Sequence, residues 1–156
     1  MRAYVACNGD SLDVLGYYYL NLTSYKIGRL DDKADEKFKR VDAVPAVYLG
    51  MIGVRTDCQG LGIGKLLMRD AMLRTVQIAE LAGTYALALD ALDDKLVAYY
   101  SQFGFQTFKD PEKEKGGIEM FLPLKTIQAA ISGTARLAVP IRSWGQVSAL
   151  AASGKD

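Results

Sequence analysis

The segment Val47–Leu67, VYLGMIGVRTDCQGLGIGKLL, decides the fold because its pattern changes twice. An apolar run rich in β-forming residues comes first, and it predicts a buried strand over residues 46–54. A short polar stretch follows, then Gly60, Gly62 and Gly64, and then a helical period. This order of strand, glycine loop and helix presents uncovered backbone N–H groups at the positive end of a helix dipole. Such an arrangement is a site for phosphate oxygens.

Two common phosphate-loop motifs fail at particular positions of this loop. A P-loop, G-x-x-x-x-G-K-[ST], that ends at Gly64-Lys65 would need a glycine at position 59 and a serine or threonine at position 66. The chain has Gln59 and Leu66 there. A dinucleotide fingerprint fails in either register because its third glycine would fall on a lysine or a leucine. The pattern Q-x-x-G-x-G over residues 59–64 does fit, and it resembles the pyrophosphate loop of the GNAT N-acetyltransferases, [QR]-x-x-G-x-[GA]. The alternative without function is a turn that only lets strand and helix pack closely.

Composition limits the class of protein. With 156 residues, half of them hydrophobic, the sequence predicts one globular domain with a substantial core. A net charge of +1 does not support a dedicated nucleic-acid binder, although it allows a local basic patch. Two cysteines, Cys7 and Cys58, provide no disulfide framework and suit a reducing cytoplasm. No membrane span or signal peptide is predicted. Histidine is absent, so His-dependent triads and zinc hydrolase sites are excluded and no metal is expected.

The N-terminal part predicts a hairpin followed by a polar stretch. Residues 3–7 and 14–22 are β-type runs, joined by the turn signal Asn8-Gly9-Asp10-Ser11. Tyr17–Tyr19 alternate along the second strand, so at least one should face the core and at least one the opposite side. Residues 25–44 mix acidic and basic side chains. They are predicted to form either a solvated loop or frayed helix, or a rim that contacts an acceptor substrate.

The central part predicts two parallel strands joined by a helix. Pro45 should stand at the entry to the strand 46–54, where no ladder donor is needed. The helix should run from about Gly62 to Ala82, with Gly83 as its C-terminal cap. Residues 85–89 form a second short apolar strand, so the three elements make a βαβ crossover with parallel strands.

The following residues predict a short helix and an antiparallel strand pair. Asp93 is a good N-cap for a helix over Asp94–Phe103, which Gly104 ends. Phe105–Phe108 and Ile118–Leu122 are predicted to be the two strands, with an exposed loop between them. One or two turns of helix should follow.

We therefore expect one domain over residues 1–131 and a separate tail over 132–156. The tail carries few charges, so it is either poorly ordered or docked on this subunit or a neighbour. Ala135–Val139 and Trp144 are its candidates for packing.

The short helix carries a second resemblance to the GNAT enzymes. Their helix of the type A-x-x-[FL]-Y-x-x-x-G-F is similar to the stretch with Tyr99-Tyr100 and Gly104-Phe105. The resemblance implies that Tyr100 is the general acid for the departing thiolate of coenzyme A. A phenol with a pKa of ~10 is protonated at neutral pH and can supply that proton. The alternative is that Tyr100 is a core aromatic, and for Tyr99 packing is the expected role.

Residues 45–122 most resemble the acetyltransferase toxins of toxin–antitoxin pairs. Their helix L-x-R-D-A-x-L-R-x-x-x-x-A-E-x-x-G is matched by Leu67, Arg69, Asp70, Ala71, Leu73, Arg74, Ala79, Glu80 and Gly83. Their A-L-D-D segment is matched by Ala91–Asp94. Such toxins acetylate the amino group of aminoacyl-tRNA and are neutralised by a ribbon–helix–helix antitoxin.

The resemblance implies an α/β fold with a mostly antiparallel sheet, whose central parallel strands splay apart at the cofactor site. Acetyl-CoA would lie in that gap, its pantetheine arm bonding to free backbone groups of Met51, Ile52, Gly53 and Val54. A backbone N–H near Ile52 or Gly53 would polarise its acetyl carbonyl. The amine would attack directly, without a covalent enzyme intermediate. No side chain stands out as general base, so a water-mediated route or a neutral acceptor is expected. The implied cofactor-binding residues are Ile52, Gly53, Val54, Gln59, Gly60, Leu61, Gly62, Ile63, Gly64, Lys65 and Ala91, with Lys65 or Arg69 adding charge.

Some features depart from these toxins and leave alternatives open. The toxins usually carry a further N-terminal strand and helices that border the acceptor cleft, and their strand before the loop often reads R-L-A-V-D. The main expectation is a cytoplasmic, homodimeric N-acetyltransferase that acts on a primary amine, for which aminoacyl-tRNA is the candidate that the toxins suggest. The alternatives are a truncated GNAT-fold protein that binds coenzyme A or a partner without catalysis, an acetylase of small-molecule amines, and a non-GNAT α/β module.

Overall fold

The computed structural model describes residues 1–9, 11–109 and 116–132, and the backbone of 141–143. The strands are β1 (Arg2–Cys7), β2 (Val14–Lys26), β3 (Ala43–Val54), β4 (Ala86–Ala91), β5 (Gln106–Thr107), β6 (Ile118–Pro123) and β7 (Ile141–Ser143). The helices are α1 (Asp32–Lys37), α2 (Ile63–Ala82), α3 (Asp94–Ser101) and α4 (Leu124–Ile131), with a 3-10 turn at Thr56–Cys58.

The chain forms two compact units, and β2, β3 and α2 each continue from one into the other. The first unit contains Met1–Asn21, Leu49–Met72 and the strand β7, and the second contains the described residues of Leu22–Tyr48 and Leu73–Gly133.

The first unit is built on the predicted hairpin. β1 and β2 pair antiparallel from Arg2 with Leu20 to Ala6 with Gly16, and β7 pairs with the other edge of β1. The strand order in this unit is β3-β2-β1-β7. The predicted alternation of the tyrosines is confirmed, because Tyr18 is fully buried whereas Tyr17 is 41% exposed.

The second unit holds the predicted parallel pair. β3 and β4 pair parallel at three positions, Ala46–Tyr48 with Ala86–Ala88, and β6 pairs antiparallel with both β4 and β5. The order is β5-β6-β4-β3, so the fold is the expected mixed α/β one, with a mostly antiparallel sheet and one parallel pair. Its core cluster consists of Leu30, Ala34, Val44, Ala86, Ala88, Phe108 and Phe121.

Two helix ends follow the predicted caps. The carboxylate of Asp93 accepts a hydrogen bond of 2.8 Å from the N–H of Leu96, as an N-cap does. Gly83 (φ +70°) takes the left-handed conformation after α2, as predicted. The helix predicted over Asp94–Phe103 is shorter, because α3 ends at Ser101 with Gln102 as its C-cap, and Gly104 (φ +94°) follows a further turn.

Several predicted boundaries were wrong. β2 runs on to Lys26, and residues 25–44 contain the short helix α1, which Asp31 caps by accepting from the N–H of Ala34 at 2.7 Å. Pro45 is the third residue of β3, placed just before its first pair with β4. The strand predicted over Phe105–Phe108 is reduced to Gln106–Thr107.

Other expectations lie outside the described residues. These include most of the loop Lys109–Gly117 and the packing of Ala135–Val139 and Trp144. Within the described part of the chain, no helix combines the length and apolar character that crossing a bilayer requires. The same residues contain no group of three or more acidic, cysteine or histidine side chains arranged to hold a metal ion.

Candidate functional site

The loop between β3 and α2 takes a conformation that only glycine adopts easily. Gly60 has a φ of +76° and Gly62 a φ of +82°, in the left-handed region where other L-residues are strained. A Cβ added at either position would meet no heavy atom within 4 Å. The glycines are therefore required by the backbone conformation, and the space beside them is open.

The first turn of α2 supplies backbone donors next to this open space. The N–H of Leu66 donates to the carbonyl of Gly62 at 3.1 Å, so the N–H groups of Ile63, Gly64 and Lys65 precede the helical ladder. The first turn of α2 contains no acidic residue, and Lys65 is exposed. This set of donors, at the positive end of a 20-residue helix, fits a pyrophosphate.

Polar contacts hold the start of the loop. The side-chain amide of Gln59 donates to the carbonyl of Val54 at 3.3 Å, and the N–H of Arg55 donates to the carbonyl of Leu15 at 2.8 Å. The guanidinium of Arg55 also contacts the carboxylate of Asp57 at 2.6 Å and lowers the pKa of that carboxyl. Gln59 thus ties the glycine loop back to the end of β3.

The start of α2 packs directly on β2. A Cβ added to Gly16 would lie 2.7 Å from the carbonyl oxygen of Gly53 and 2.9 Å from Leu67, so no larger residue fits there. The buried hydroxyl of Tyr18 donates to the buried carboxylate of Asp70, two turns into the helix. These contacts fix the helix whose N–H groups face the open space.

β3 contains one residue more than the stretch of β2 beside it. Backbone hydrogen bonds join Arg55 to Leu15 and Ile27 to Asp42. From one bond to the other, the chain advances by 12 residues on the β2 side (15 to 27) but by 13 on the β3 side (42 to 55). One extra residue in a strand of an antiparallel pair is a β-bulge.

The glycines of β3 locate this bulge. A Cβ on Gly50 would fall 2.0 Å from the ring of Tyr19, and one on Gly53 would fall 3.0 Å from the ring of Tyr17. Tyr17 and Tyr19 lie on one face of β2, so Gly50 and Gly53 face the same side although they are three residues apart. The bulge therefore lies between Gly50 and Gly53, among the residues predicted to contact the pantetheine arm.

The parallel pair ends early. β3 runs on from its last paired residue, Tyr48, to Val54, and β4 runs on from Ala88 to the fully buried Ala91. The predicted splay requires this continuation of both strands beyond their last pair. Ala91, predicted to contact the cofactor, is the last residue of β4 and can do so only through its backbone or methyl group.

Tyr100 lies in α3 with its ring inside the second unit. It is 7% exposed, and its neighbours include the rings of Tyr99 and Phe105, with centroids 5.4 and 6.0 Å away. Burial, followed by the nearby Tyr99, raises the pKa of its phenol, so the proton stays on oxygen at neutral pH. Within the described residues the hydroxyl of Tyr100 forms no hydrogen bond.

Tyr99 is a packing residue in the structure. Its ring makes edge contacts with Tyr100 and Phe103, at centroid distances of 5.4 Å each. Tyr99 therefore provides a chemically matched reference for Tyr100 on the same helix.

A separate cleft of about 790 Å³ lies in the second unit, near the residues that precede β4. It is lined by α1 and the start of α4, with Thr84, Tyr85 and Gln106. The hydroxyl of Tyr85 donates to Asp31 at 2.9 Å within this lining. Because it lies at the opposite end of β4 from Ala91, the cleft is not the predicted cofactor site.

Residues 38–125, more than half of the chain, match the family model described as the acetyltransferase (GNAT) domain. The chain belongs to the GNAT acetyltransferase family. As a member of it, the protein is an N-acetyltransferase that uses acetyl-CoA. The open glycine loop before a long helix is the part of the structure that fits the cofactor's pyrophosphate.

Relatives of this GNAT chain include toxins of the kind that the helix motif predicted. It is 30% identical to a probable toxin TacT of Sinorhizobium fredii, over 83% of this chain and 72% of that protein. It is 33% identical to a tRNA-acetylating toxin of Mycobacterium tuberculosis, over 67% of this chain but only 61% of that protein.

Solved structures agree with this result. AtaT complexed with acetyl-methionyl-tRNAfMet has a TM-score of 0.72 and 27% identity, over 82% of this chain and 74% of that one. The toxin–antitoxin complex AtaTR has been solved with acetyl-CoA bound, with a TM-score of 0.64 and 28% identity over 82% of this chain and 73% of that one.

Reasoning from the sequence missed several polar pairs. The contacts of Tyr18 with Asp70 and of Tyr48 with Asp90 join residues far apart in the chain, and neither was predicted. The only local signal was that Asp90 follows directly on an apolar strand, at the end where a βαβ unit places its ligands.

Proposed function

We propose that this GNAT enzyme transfers the acetyl group of acetyl-CoA to the primary amine of an aminoacyl-tRNA. The supporting observation is the combination of the open Gly60–Gly62 loop with a protonated phenol at Tyr100, in a chain related to tRNA-acetylating toxins. The net charge of +1 is compatible with a tRNA bound through a local patch rather than through an overall basic surface.

The backbone carries the binding. The N–H groups from Gly60 to Lys65 would hold the pyrophosphate, and Gln59 keeps the loop in place through Val54. The residues around the bulge, from Met51 to Val54, and Ala91 would offer backbone groups to the pantetheine arm. An N–H near Ile52 or Gly53 would polarise the acetyl carbonyl.

Tyr100 carries the chemistry at sulfur. The amine attacks the acetyl carbon, the carbon–sulfur bond breaks, and the phenol of Tyr100 gives its proton to the departing thiolate. A pKa raised by burial keeps that proton in place until the thiolate develops. The acceptor side of the reaction needs no covalent enzyme intermediate.

The test is Tyr100→Phe with Tyr99→Phe as the matched control. Tyr100→Phe should bind acetyl-CoA as the wild type does but turn over at least about 10-fold more slowly, the low end of general-acid effects. Tyr99→Phe should keep the wild-type turnover. Acetylation is measured by mass change of charged tRNA, and binding of acetyl-CoA by calorimetry.

The acceptor is tested separately. Charged tRNA, polyamines and peptides are offered with acetyl-CoA, and the modified product is identified by mass. Acetylated aminoacyl-tRNA supports the proposal, whereas modification of a small amine alone would make the protein a small-molecule acetylase. Acetyl-CoA binding without any transfer would identify it as a binding protein.

Three further expectations complete the proposal. The enzyme acts in the cytoplasm, which suits the free and buried Cys7 and Cys58. It is neutralised by an antitoxin, so growth arrest on expression should be relieved by co-expressing a neighbouring antitoxin gene or by Tyr100→Phe. It forms a homodimer, which light scattering on the purified protein would show as twice the mass of 17.0 kDa.

A further inference from the structure

Asp90 is a partly buried carboxylate at the carboxyl end of β4. It stands two residues beyond Ala88, the last residue of β4 that pairs with β3. Its Oδ2 accepts a hydrogen bond of 2.8 Å from the hydroxyl of Tyr48. Tyr48 pairs with Ala88, so its ring and the Asp90 side chain lie on the same face of the sheet, and the phenol orients the carboxylate.

The neighbouring carboxylate is in a different electrostatic state. Glu119 of β6 pairs in register with Asp90, is 3% exposed, and forms an ion pair with Arg29. Arg29 in turn lies over the ring of Phe108, 5.2 Å from its centroid. In the described part of the chain no cation forms an ion pair with Asp90. Among the described residues, Glu119 is therefore paired with a cation, whereas Asp90 accepts a hydrogen bond from a phenol.

Gly117 keeps the surroundings of Asp90 small. A Cβ added to Gly117 would lie 3.1 Å from the Cβ of Asp90 and 3.3 Å from the carbonyl oxygen of Ala91. A larger residue would therefore press on the carboxylate. In the part of the chain that the structure describes, the polar groups placed beside Asp90 are Tyr48 of β3 and Glu119 of β6, which is paired with Arg29.

We propose that Asp90 accepts the proton that the acceptor's amine gives up, and that Tyr48 is the positioning residue that holds it. The inference rests on the proposed function and supplies the general base that the sequence did not reveal. Ligands of open sheets bind outside the carboxyl ends of parallel strands, where Asp90 and Ala91 lie. A carboxylate with one oxygen bonded to a phenol keeps its second oxygen for a substrate N–H.

The proton count balances. The amine nitrogen forms a bond to the acetyl carbon and passes one proton to Asp90, the carbon–sulfur bond breaks, and Tyr100 protonates the thiolate. Solvent then returns a proton to Tyr100 and removes one from Asp90. No oxidant, metal or further reactant is required.

The first test is Asp90→Asn, which preserves an oxygen that can accept from Tyr48 but cannot take up a proton. We expect kcat to fall by about 100-fold, as for other general bases, with the Kd for acetyl-CoA unchanged. Glu80→Gln, which removes one exposed carboxylate from α2, is the matched control and should keep the wild-type kcat.

The second test separates a proton acceptor from a structural residue. Asp90→Ala leaves space beside Tyr48. Added formate should raise the kcat of this variant at least about 10-fold, because formate replaces the missing base. Tyr48→Phe should lower kcat by a smaller factor while leaving the carboxylate in place. A structural role for Asp90 would give no response to formate.

The outcomes distinguish this inference from the proposed function. If the wild type acetylates aminoacyl-tRNA and Tyr100→Phe is slow, but Asp90→Asn is as fast as the wild type, the inference is wrong and the proposed function stands. The inference is equally wrong if the rate of Asp90→Ala does not respond to formate. If the wild type transfers acetyl to no amine, both fail.

Discussion

The glycine loop of the first unit and the helix α3 of the second have different proposed roles, and each role depends on a different part of its residues. Around Gly60 and Gly62 the backbone conformation matters, the surroundings are open, and the donors are main-chain N–H groups. At Tyr100 the side chain matters, and its surroundings are closely packed aromatic rings that raise its pKa. Affinity should therefore depend on residues without side chains, and turnover on a residue whose side chain is nearly buried.

The largest effect should come from the double substitution Gly60→Ala with Gly62→Ala. Each alanine would have to adopt a positive φ, at a cost of roughly 1–2 kcal/mol per residue, so the loop would relax away from its present conformation. We expect the Kd for acetyl-CoA to rise by about 10–100-fold. Calorimetry measures this, and turnover at saturating acetyl-CoA should change much less.

Gly83→Ala is the matched control for the loop. Gly83 also has a positive φ, +70°, also has open space where a Cβ would be added, and ends the same helix. Gly83→Ala should lower the free energy of unfolding through a similar backbone strain but leave the Kd for acetyl-CoA unchanged. If Gly83→Ala weakened acetyl-CoA binding as much as the double variant does, the difference between loop and cap would disappear.

A smaller effect is expected from Tyr18→Phe in the first unit. The change removes a hydroxyl that donates to the buried carboxylate of Asp70, so the free energy of unfolding should fall by about 1–3 kcal/mol. Urea denaturation measures it. Asp70→Asn retains an acceptor for the Tyr18 hydroxyl, so it should lower the free energy of unfolding by less than Tyr18→Phe does. Equal stability of Tyr18→Phe and the wild type would show that the bond does not hold α2 on β2.

The smallest effect is expected at Lys109 in the second unit. Its ammonium contacts Asp32 at 2.6 Å and Asp35 at 3.0 Å, and the hydrogen bond from Lys109 is the main reason why the pKa of Asp35 is lowered. A lowered folded pKa gives stability that is present above the ordinary carboxyl pKa and lost as pH falls through the folded one.

Lys109→Gln should therefore lower the melting temperature only slightly, near neutral pH and in low salt. The difference from the wild type should vanish in high salt and in acid below the carboxyl titration. Thermal melts at two salt concentrations check this. A large loss that persists in high salt would mean that this exposed pair stabilises more than the buried contact of Tyr18.

The features that the sequence predicted well depend on nearby residues. The caps at Asp93 and Gly83 and the glycine loop follow from conformational rules that act over a few residues. The crossover from β3 through α2 to β4 was also predictable, because a parallel pair joined by one helix has one favoured handedness and arrangement.

The features that it missed depend on residues far apart. The Tyr18–Asp70 and Tyr48–Asp90 bonds span 52 and 42 positions, and no local pattern encodes them. The continuation of β2 to Lys26 was missed because its last residues are polar and gain their strand conformation from pairing rather than from propensity. Pro45 lies inside β3 because it precedes the first pair with β4.

The extra residue between Gly50 and Gly53 has a consequence for how this family can vary. Deleting it would restore even pairing with β2 and would keep Gly50 and Gly53 opposite Tyr19 and Tyr17, but it would remove the bend, the added twist and the unpaired backbone groups that a bulge gives to β3. Substitutions at Met51 or Ile52 alter one side chain each, whereas a change of length would remove the bulge itself. Alignments of related enzymes should therefore show varied residues here but no insertions or deletions.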